Sequence, residues 1–128
     1  MDEPQAEFMN ALCDLIKGDL NLDIKLDELP PDGGIYAESG APTLQGMYQD
    51  KTCLWRVPVL FISKRNDQEQ GLAEMSSIAR SLHYRKAYPD GKTYGWADAS
   101  LATPPNKISR DEDGQYLHSC IVNCLVCF

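Results

Sequence analysis

The residues best suited to metal chemistry lie in the last eleven positions of the chain. His118 precedes Cys120, Cys124 and Cys127, and imidazole and thiolate groups are the usual ligands of zinc. Within a predicted strand these ligands cannot converge, because Cys120 and Cys124 share one face and Cys127 points to the other. The tight turn of a zinc knuckle is also missing. We therefore predict buried, reduced thiols, with no bound metal and no other cofactor.

Nucleophilic catalysis would need a cysteine or serine beside a histidine and an orienting acid. His83 follows a predicted helix, His118 lies within a predicted strand, and neither occupies a recognisable catalytic motif. The sequence contains no Walker loop, dinucleotide fingerprint or HExxH pattern. We therefore predict no catalytic residue.

Basic and aromatic residues alternate between positions 80 and 94, in a pattern that resembles a stacking platform for single-stranded nucleic acid. They are Arg80, Tyr84, Arg85, Lys86, Tyr88, Lys92 and Tyr94. In an acidic chain the simpler interpretation is an exposed loop or a protein contact. Asp111, Glu112 and Asp113 lack the ligand spacing of an EF-hand, so we interpret them as part of a turn.

Length and charge favour one compact domain whose partners are proteins. The chain has 128 residues, and two domains would each have too small a core. The net charge is -7 and the pI is near 4.7. Binding to nucleic acid phosphates depends on Lys and Arg, so this charge argues against a protein whose main task is to hold nucleic acid.

No segment has the character of a membrane span or a signal peptide. A membrane-spanning helix needs about 20 apolar residues, and the first residues, MDEPQAEF, lack the basic and apolar regions of a signal sequence. Five cysteines form no legible disulfide framework and are typical of thiols in a reducing compartment, although one could pair between subunits. We expect a cytosolic protein without membrane contact.

Two amphipathic helices are predicted to position these residues. The first has Asp2 as its N-cap, Pro4 in its first turn and Gly18 as its C-cap. Its apolar residues are Phe8, Met9, Leu12, Leu15 and Ile16. The second is capped by Asp67, with Gln70 three residues further on. Its apolar stripe comprises Leu72, Met75, Ile78, Ala79 and Leu82.

The first half of the chain also contains three candidate strands. Residues 20–26 alternate as a half-buried strand, with a loop as the alternative, and residues 35–38 form a short strand after the break at Pro30 to Gly34. A loop is expected as far as Lys51. Residues 53–63 are nearly all apolar and predict a central strand covered on both faces. Pro58 must then lie at an edge or bulge, or have its N–H position facing away from a neighbour.

The C-terminal part predicts a hairpin. Residues 96–102 are extended, Pro104-Pro105 interrupts them, and a turn follows at residues 110–114. The last strand, Gln115 to Phe128, is apolar on both faces and is expected inside a sheet or an interface. The predicted fold is therefore a single α/β (α+β) domain. It has a central mixed or antiparallel β-sheet packed by two helices, and a C-terminal β-hairpin.

Taken in order, these parts resemble the tail terminators of tailed bacteriophages, often labelled minor capsid proteins. The most recurrent feature of that family is a strand that closes on an arginine and runs into an Ala-rich amphipathic helix. Here it is RVPVLFISKRNDQEQGLAEMSSIARSL, with Arg65. The final strand YLHSCIVNCLVCF resembles the last strand of the family. The chain departs from the family in its cysteine-rich terminus and in the aromatic insertion between Leu82 and Trp96.

The resemblance implies a small virion protein that closes into a homo-hexameric ring on the last ring of the tail-tube protein. Such a ring stops polymerisation, offers a surface to a head-completion or connector protein, and lets DNA pass without specific binding. Assembly would take place in the host cytoplasm. Candidate subunit or partner contacts are Lys64, Arg65, Asp111, Glu112 and Asp113.

The acidic N-terminal segment has two interpretations in such a ring. Residues 1–32 have nine acids and two bases, so they account for the whole net charge. Their acids either line the channel, where they would repel DNA, or stand on the outer rim, where they would keep the ring soluble. The candidate channel or rim acids are Asp23, Asp27, Glu28 and Asp32.

Two other functions remain open from the sequence. A head-tail connector or neck protein shares the same ring geometry, and the sequence does not separate it from a terminator. A small metal- or phosphate-dependent enzyme is the alternative from another class, and stoichiometric zinc would favour it.

Overall fold

The chain forms one mixed β-sheet with both helices packed on the same face. The computed structural model describes residues 3–26, 28–29, 33–110 and 114–128. The described helices are α1 (Pro4–Leu20) and α2 (Gln68–His83). The described strands are β1 (Ile24–Lys25), β2 (Gly34–Ser39), β3 (Thr43–Met47), β4 (Cys53–Arg65), β5 (Gly95–Arg110) and β6 (Tyr116–Cys127).

The sheet has the order β1-β2-β4-β6-β5. Only β1 and β2 are parallel, and every other described pair is antiparallel. On one side of β4, β2 pairs with residues 59–64 and β3 pairs with residues 53–56, whereas β6 runs along the whole opposite side. The predicted sheet with two helices and a C-terminal hairpin is confirmed.

The hydrophobic core lies between the sheet and the two helices. Over residues 57–63 of β4 and 118–126 of β6 every second residue is buried, and register partners such as Phe61 and Cys120 lie side by side beneath the helices. From α1 and α2 the core receives Leu12, Ile16 and Ile78, each 0% exposed. The residues between the buried positions of β4 are only half-buried, so the prediction that β4 is covered on both faces is wrong.

Helix α1 differs from the prediction at its C-terminal end. Pro4 lies in the first turn as predicted, and the Glu3 carboxylate caps the helix by accepting the N–H of Ala6 at 2.7 Å. Asp2, the predicted cap, lies outside the described residues. Gly18 is inside the helix, which ends only at Asn21 in the left-handed conformation (φ 56°). The predicted stop at Gly18 is wrong, because an asparagine side chain tolerates this conformation.

Helix α2 begins where the sequence predicts. The Asp67 carboxylate accepts the N–H of Glu69 at 3.0 Å, and the buried stripe contains Met75, Ile78, Ala79 and Leu82. Leu72 departs from the prediction, since it is 43% exposed. Its place on the sheet-facing surface is taken by Gly71, which packs against the sheet where a side chain would not fit.

Pro58 is accommodated by a gap in the pairing on one side of β4. The Pro58 carbonyl accepts the N–H of Gly40 at 2.7 Å, on the side where the chain leaves β2 and turns towards β3. In an antiparallel strand the N–H and C=O of one residue point to the same side. The missing N–H of Pro58 therefore faces the connection between β2 and β3, which is one of the predicted solutions.

One loop prediction and one strand prediction in the first half of the chain are corrected by the structure. The loop expected before Lys51 contains β3, an edge strand that the sequence did not reveal because its residues TLQGM show no buried alternation. The strand expected over residues 20–26 is reduced to the two residues of β1, since α1 continues to Leu20.

The C-terminal hairpin is longer than predicted. β5 runs through Pro104 and Pro105, and the ladder with β6 absorbs them as a register shift between Thr103 and Asn106. The predicted interruption is therefore wrong, because a bulge lets an edge strand pass residues that cannot donate. Arg110 pairs with Tyr116, so the hairpin is confirmed, although residues 111–113 of its turn lie outside the described residues.

Candidate functional site

The C-terminal cysteines lie as the strand geometry predicts. Cys120 and Cys124 are fully buried beneath the helices, whereas Cys127 belongs to the opposite face and is half-buried. Burial raises the pKa of each of the two buried thiols to about 12, and it raises the pKa of Cys13 on α1 to about 11. Among the described residues, no three metal-ligating side chains converge.

His118 is the centre of a buried polar cluster that the sequence did not identify. It is 1% exposed, it lies opposite Ser63 in the β4–β6 ladder, and its Nδ1 has no hydrogen-bond partner among the described residues. The Ser63 hydroxyl donates to the Gly71 carbonyl at 3.4 Å. A Cβ on Gly71 would stand 2.7 Å from His118 Nδ1, so glycine is required for α2 to approach the sheet.

The environment of His118 disfavours its charged form. Burial lowers the pKa of His118 first of all, and the positive charge of Lys107 on β5 lowers it further. A neutral imidazole beneath a helix backbone is suited to packing, and the described neighbours provide no acid to make it a proton-transfer pair.

His83 connects α2 to β5. Its Nδ1 accepts the N–H of Leu101 at 3.0 Å, and its ring makes an edge contact with Tyr84, centroid to centroid 4.7 Å. A groove of about 410 Å³ runs beside it, lined also by Arg80 and Pro105. The imidazole thus fastens the end of the helix to the edge of the sheet.

The aromatic residues after α2 do not form a stacking platform. Tyr94 is 6% exposed and makes an edge contact with Phe8 of α1, centroid to centroid 5.6 Å. Tyr88 packs on Trp96 and donates its hydroxyl to the carbonyl of Leu82. Only Tyr84 of the three tyrosines is exposed, at 75%. The exposed-loop interpretation is therefore wrong for Tyr88 and Tyr94, because their rings complete the core.

Arg65 and Lys64 lie next to each other at the end of β4 but belong to opposite faces of the sheet. The Arg65 guanidinium forms a bidentate pair with Glu74 of α2, at 2.7 and 2.9 Å. This pair holds the strand against the helix that follows it. Lys64 is half-buried on the other face, opposite Leu117.

The described acids of the N-terminal segment are partly engaged in ion pairs. Lys17 donates to Asp23 at 2.7 Å and lowers the pKa of that carboxyl, while Asp19 pairs with Arg85. The Glu7 carboxylate accepts a hydrogen bond from the backbone N–H of Lys92, and this contact links α1 to the loop before β5. Glu28 is exposed. The other candidate residues, Asp27, Asp32, Asp111, Glu112 and Asp113, lie outside the described residues.

The second face of the sheet is apolar and has no described layer on it. Its central residues come from β4 and β6, which are paired residue by residue, as in Leu60 with Ile121 and Arg56 with Leu125. All of the apolar ones are half-buried, in contrast to the fully buried residues that face the helices. They are Leu54, Pro58, Leu60, Ile62, Leu117, Ile121 and Leu125. We call these seven residues and the positions between them the open face.

Besides the two-residue strand β1, the described sheet ends in two unlike edges, β3 and β5. Within the described chain, β3 pairs only with β4 and β5 pairs only with β6, so each has one unpaired side. β3 is uncharged and exposed, with Leu44 and Met47 on its surface. The exposed end of β5, residues 106–110, is basic at Lys107 and Arg110.

Comparison with known proteins does not indicate a function, so a function must be argued from the geometry of the structure. Neither a protein-family model nor a curated protein matches this chain. Within the described residues, no helix is long and apolar enough to cross a membrane. The open face and the two edges are the surfaces from which a function can be argued.

Proposed function

We propose that this protein is a tail terminator of a tailed bacteriophage, a non-catalytic subunit that closes into a ring on the end of the tail tube. The resemblance described above supports the proposal through the order of elements: an acidic helix, a strand that ends on Arg65, a helix, and a C-terminal hairpin. The observation that carries it is the pair of unlike open edges on β3 and β5.

Unlike edges favour a head-to-tail contact. A strand edge presents unpaired N–H and C=O groups that a neighbouring chain can satisfy. When the two edges differ, one subunit offers β5 and the next offers β3, and such a contact produces a ring if the rotation closes. Pro104, Pro105 and the register shifts, one of them between Lys107 and Ser109, interrupt β5, so an added strand would pair with it over short stretches on either side of the prolines.

In this ring, the tail-tube protein would bind one end and a head-completion or connector protein the other, with six subunits as the resemblance implies. The N-terminal acids then lie along the channel or at the outer rim. Exposed Glu28 and the ion-paired Asp23 are suited to either place, since both reach solvent. DNA would pass an acidic lining without binding to it.

The proposal is tested in the phage that carries the gene. Deleting the gene should lengthen the tails and leave heads unattached, as seen by electron microscopy, and the purified protein should form rings alone or on isolated tail tubes. Normal tails on attached heads after deletion would refute the terminator function. Tails of normal length without heads would favour the neck protein instead.

The proposed contact between strand edges can be tested by a substitution in β3. Gln45 lies at the register shift of β3, outside the ladder to β4, so Gln45→Pro should block the outer edge without breaking that ladder. Gln45→Thr is the matched control, because threonine favours strands. We expect Gln45→Pro to remain folded by circular dichroism and lose ring formation, whereas Gln45→Thr should form rings. Rings from both variants would exclude β3 as the edge used.

The position of the acids is tested by changing Asp23, Asp27, Glu28 and Asp32 to Asn or Gln. If they line the channel, variant rings should assemble, keep tails at normal length, and bind DNA more tightly with a steeper dependence on salt. An unchanged DNA affinity would place them at the rim.

A further inference from the structure

The open face has the composition of a protein interface. Most of its central positions are apolar, including Leu60, Ile62 and Ile121, with Asn123 and Ser119 as the polar exceptions. Charged residues lie towards its ends and side, at Arg56, Lys64 and Glu38. An apolar centre within a polar rim is the usual anatomy of a protein contact. Monomeric proteins rarely leave a continuous apolar patch of this kind in water.

The size of the open face matches what a stable dimer needs. With the strands that flank it, the open face is four strands wide, about 4.8 Å apart: β5, β6, β4, and on the far side of β4 first β3 and then β2. It is ten residue steps long, from Leu54 to Lys64, at about 3.4 Å each. The flat footprint is therefore about 650 Å². A standard interface buries about 800 Å² on each partner, measured on the corrugated accessible surface, which exceeds the flat footprint.

The charge of the open face is compatible with a second copy of the same chain. The chain as a whole carries a net charge of -7, which makes most contacts between copies repulsive. The charged residues in the paired rows of β2, β4, β6 and β5 are two bases, Arg56 and Lys64, and two acids, Glu38 and Asp98, so these rows carry no net charge. Two such faces can approach without the repulsion that the N-terminal acids would produce.

We propose that the open face packs against the open face of a second copy, as two sheets about 10 Å apart related by a two-fold axis. A two-fold contact uses the same patch on both copies, so it is distinct from the head-to-tail edge contact of a ring. The proposal does not depend on the tail-terminator function, because it follows from the composition, size and charge of the open face as the described residues show it.

The first test uses the native protein. Cys127 lies on the open face, whereas Cys13 lies on α1, and both thiols are half-buried. As the protein concentration rises and a dimer forms in sedimentation, alkylation by iodoacetamide should slow at Cys127 and stay unchanged at Cys13, measured by peptide mass spectrometry. A protein that sediments as a monomer at every soluble concentration would overturn the proposal.

The second test uses variants that keep the strand. Leu60→Thr and Ile121→Thr remove apolar surface from the centre of the open face but retain a residue that favours strands. The matched control is Leu72→Thr, a change at an exposed leucine on α2. We expect at least a tenfold weaker dimer for each face variant, wild-type association for the control, and a folded circular dichroism spectrum for all three.

The outcomes separate this proposal from the ring. If association persists in the face variants and Cys127 stays reactive, the contact lies elsewhere and the face-to-face packing is refuted, whereas ring formation through the edges is untouched. If the face variants still form rings on tail tubes but no longer dimerise when free, both proposals are supported.

Discussion

Replacing Gly71 with alanine should destabilise the protein, although alanine is the better helix former. Gly71 lies inside α2, directly above the buried ring of His118. The new Cβ would stand 2.7 Å from His118 Nδ1 and 3.3 Å from the Ser63 hydroxyl oxygen. The imidazole has little room to move away, because His118 is 1% exposed and lies between β6 and α2.

The magnitude follows from two opposing terms. Glycine to alanine in a helix interior stabilises by about 1 kcal/mol, whereas overpacking a filled core costs about 1–3 kcal/mol. A contact of 2.7 Å with a confined ring places the cost in the upper part of that range. We expect a net loss of about 1–2 kcal/mol, which corresponds to a fall of about 4–8 °C in Tm for a domain of this size.

The matched control is Gly18→Ala in α1. A Cβ at Gly18 meets no atom within 4 Å, so the change should stabilise by up to about 1 kcal/mol. Chemical denaturation and thermal melts of both variants provide the comparison. A second variant combines Gly71→Ala with His118→Ala. Relative to His118→Ala alone, the methyl group added at position 71 should leave the free energy of unfolding unchanged or raise it. Stabilisation by Gly71→Ala alone, equal to that of Gly18→Ala, would refute the close packing of α2 on His118.

The other predictions concern the core, the thiols, the histidine and the ion pair. Ile78→Asp should cost several kcal/mol and unfold the domain, seen as loss of the circular dichroism signal, because an unpaired charge would enter the core; near-native stability would show that α2 does not face the sheet as described. Protein purified without chelator should contain well under one zinc per chain, and Cys120 and Cys124 should resist alkylation at neutral pH, whereas a full equivalent of zinc that is lost in Cys124→Ser would contradict the strand geometry. The pKa of His118 is lower in the folded protein than the unfolded value of 6.5, so its full contribution to the free energy of unfolding is present above pH 6.5. As the pH falls below that value, the free energy of unfolding should decrease by at most about 1.4 kcal/mol per pH unit. This dependence on pH should disappear in His118→Gln, and an unchanged dependence would exclude His118 as its source. A double-mutant cycle between Arg65 and Glu74 should give a coupling energy of about 1 kcal/mol at low salt, and zero coupling would show that the pair is not formed in solution.

Much of the fold could be predicted from local patterns. The stripe of α2, the cap at Asp67 and the continuous apolar run of β4 each depend on residues close in sequence, so their periods and caps are legible without the rest of the chain. β3 could not be predicted, because a short exposed edge strand has no buried face to impose an alternation, and only its pairing with β4 makes it a strand.

The candidate surfaces were less predictable than the fold. The two apolar faces of the last strand correctly indicated a position inside the sheet, between β4 and β5. The sequence could not reveal that both described helices pack on the same one of these faces. It also placed Tyr94 in an exposed loop, whereas contacts with Phe8, 86 positions earlier in the chain, bury it.

The sequence by itself determined the class of fold, the two helices, the central strand, and the separation of Cys127 from Cys120 and Cys124, because these follow from periods of 3.6 and 2 residues along one segment. Only the tertiary structure decided that Gly71 must be a glycine and that His118 is buried beneath α2. It also decided that, among the described residues, one largely apolar face of the sheet has no layer on it and that the outer edges of β3 and β5 are unlike. These features arise where segments distant in sequence meet, and the free energy of such contacts depends on packing and burial that no local pattern encodes.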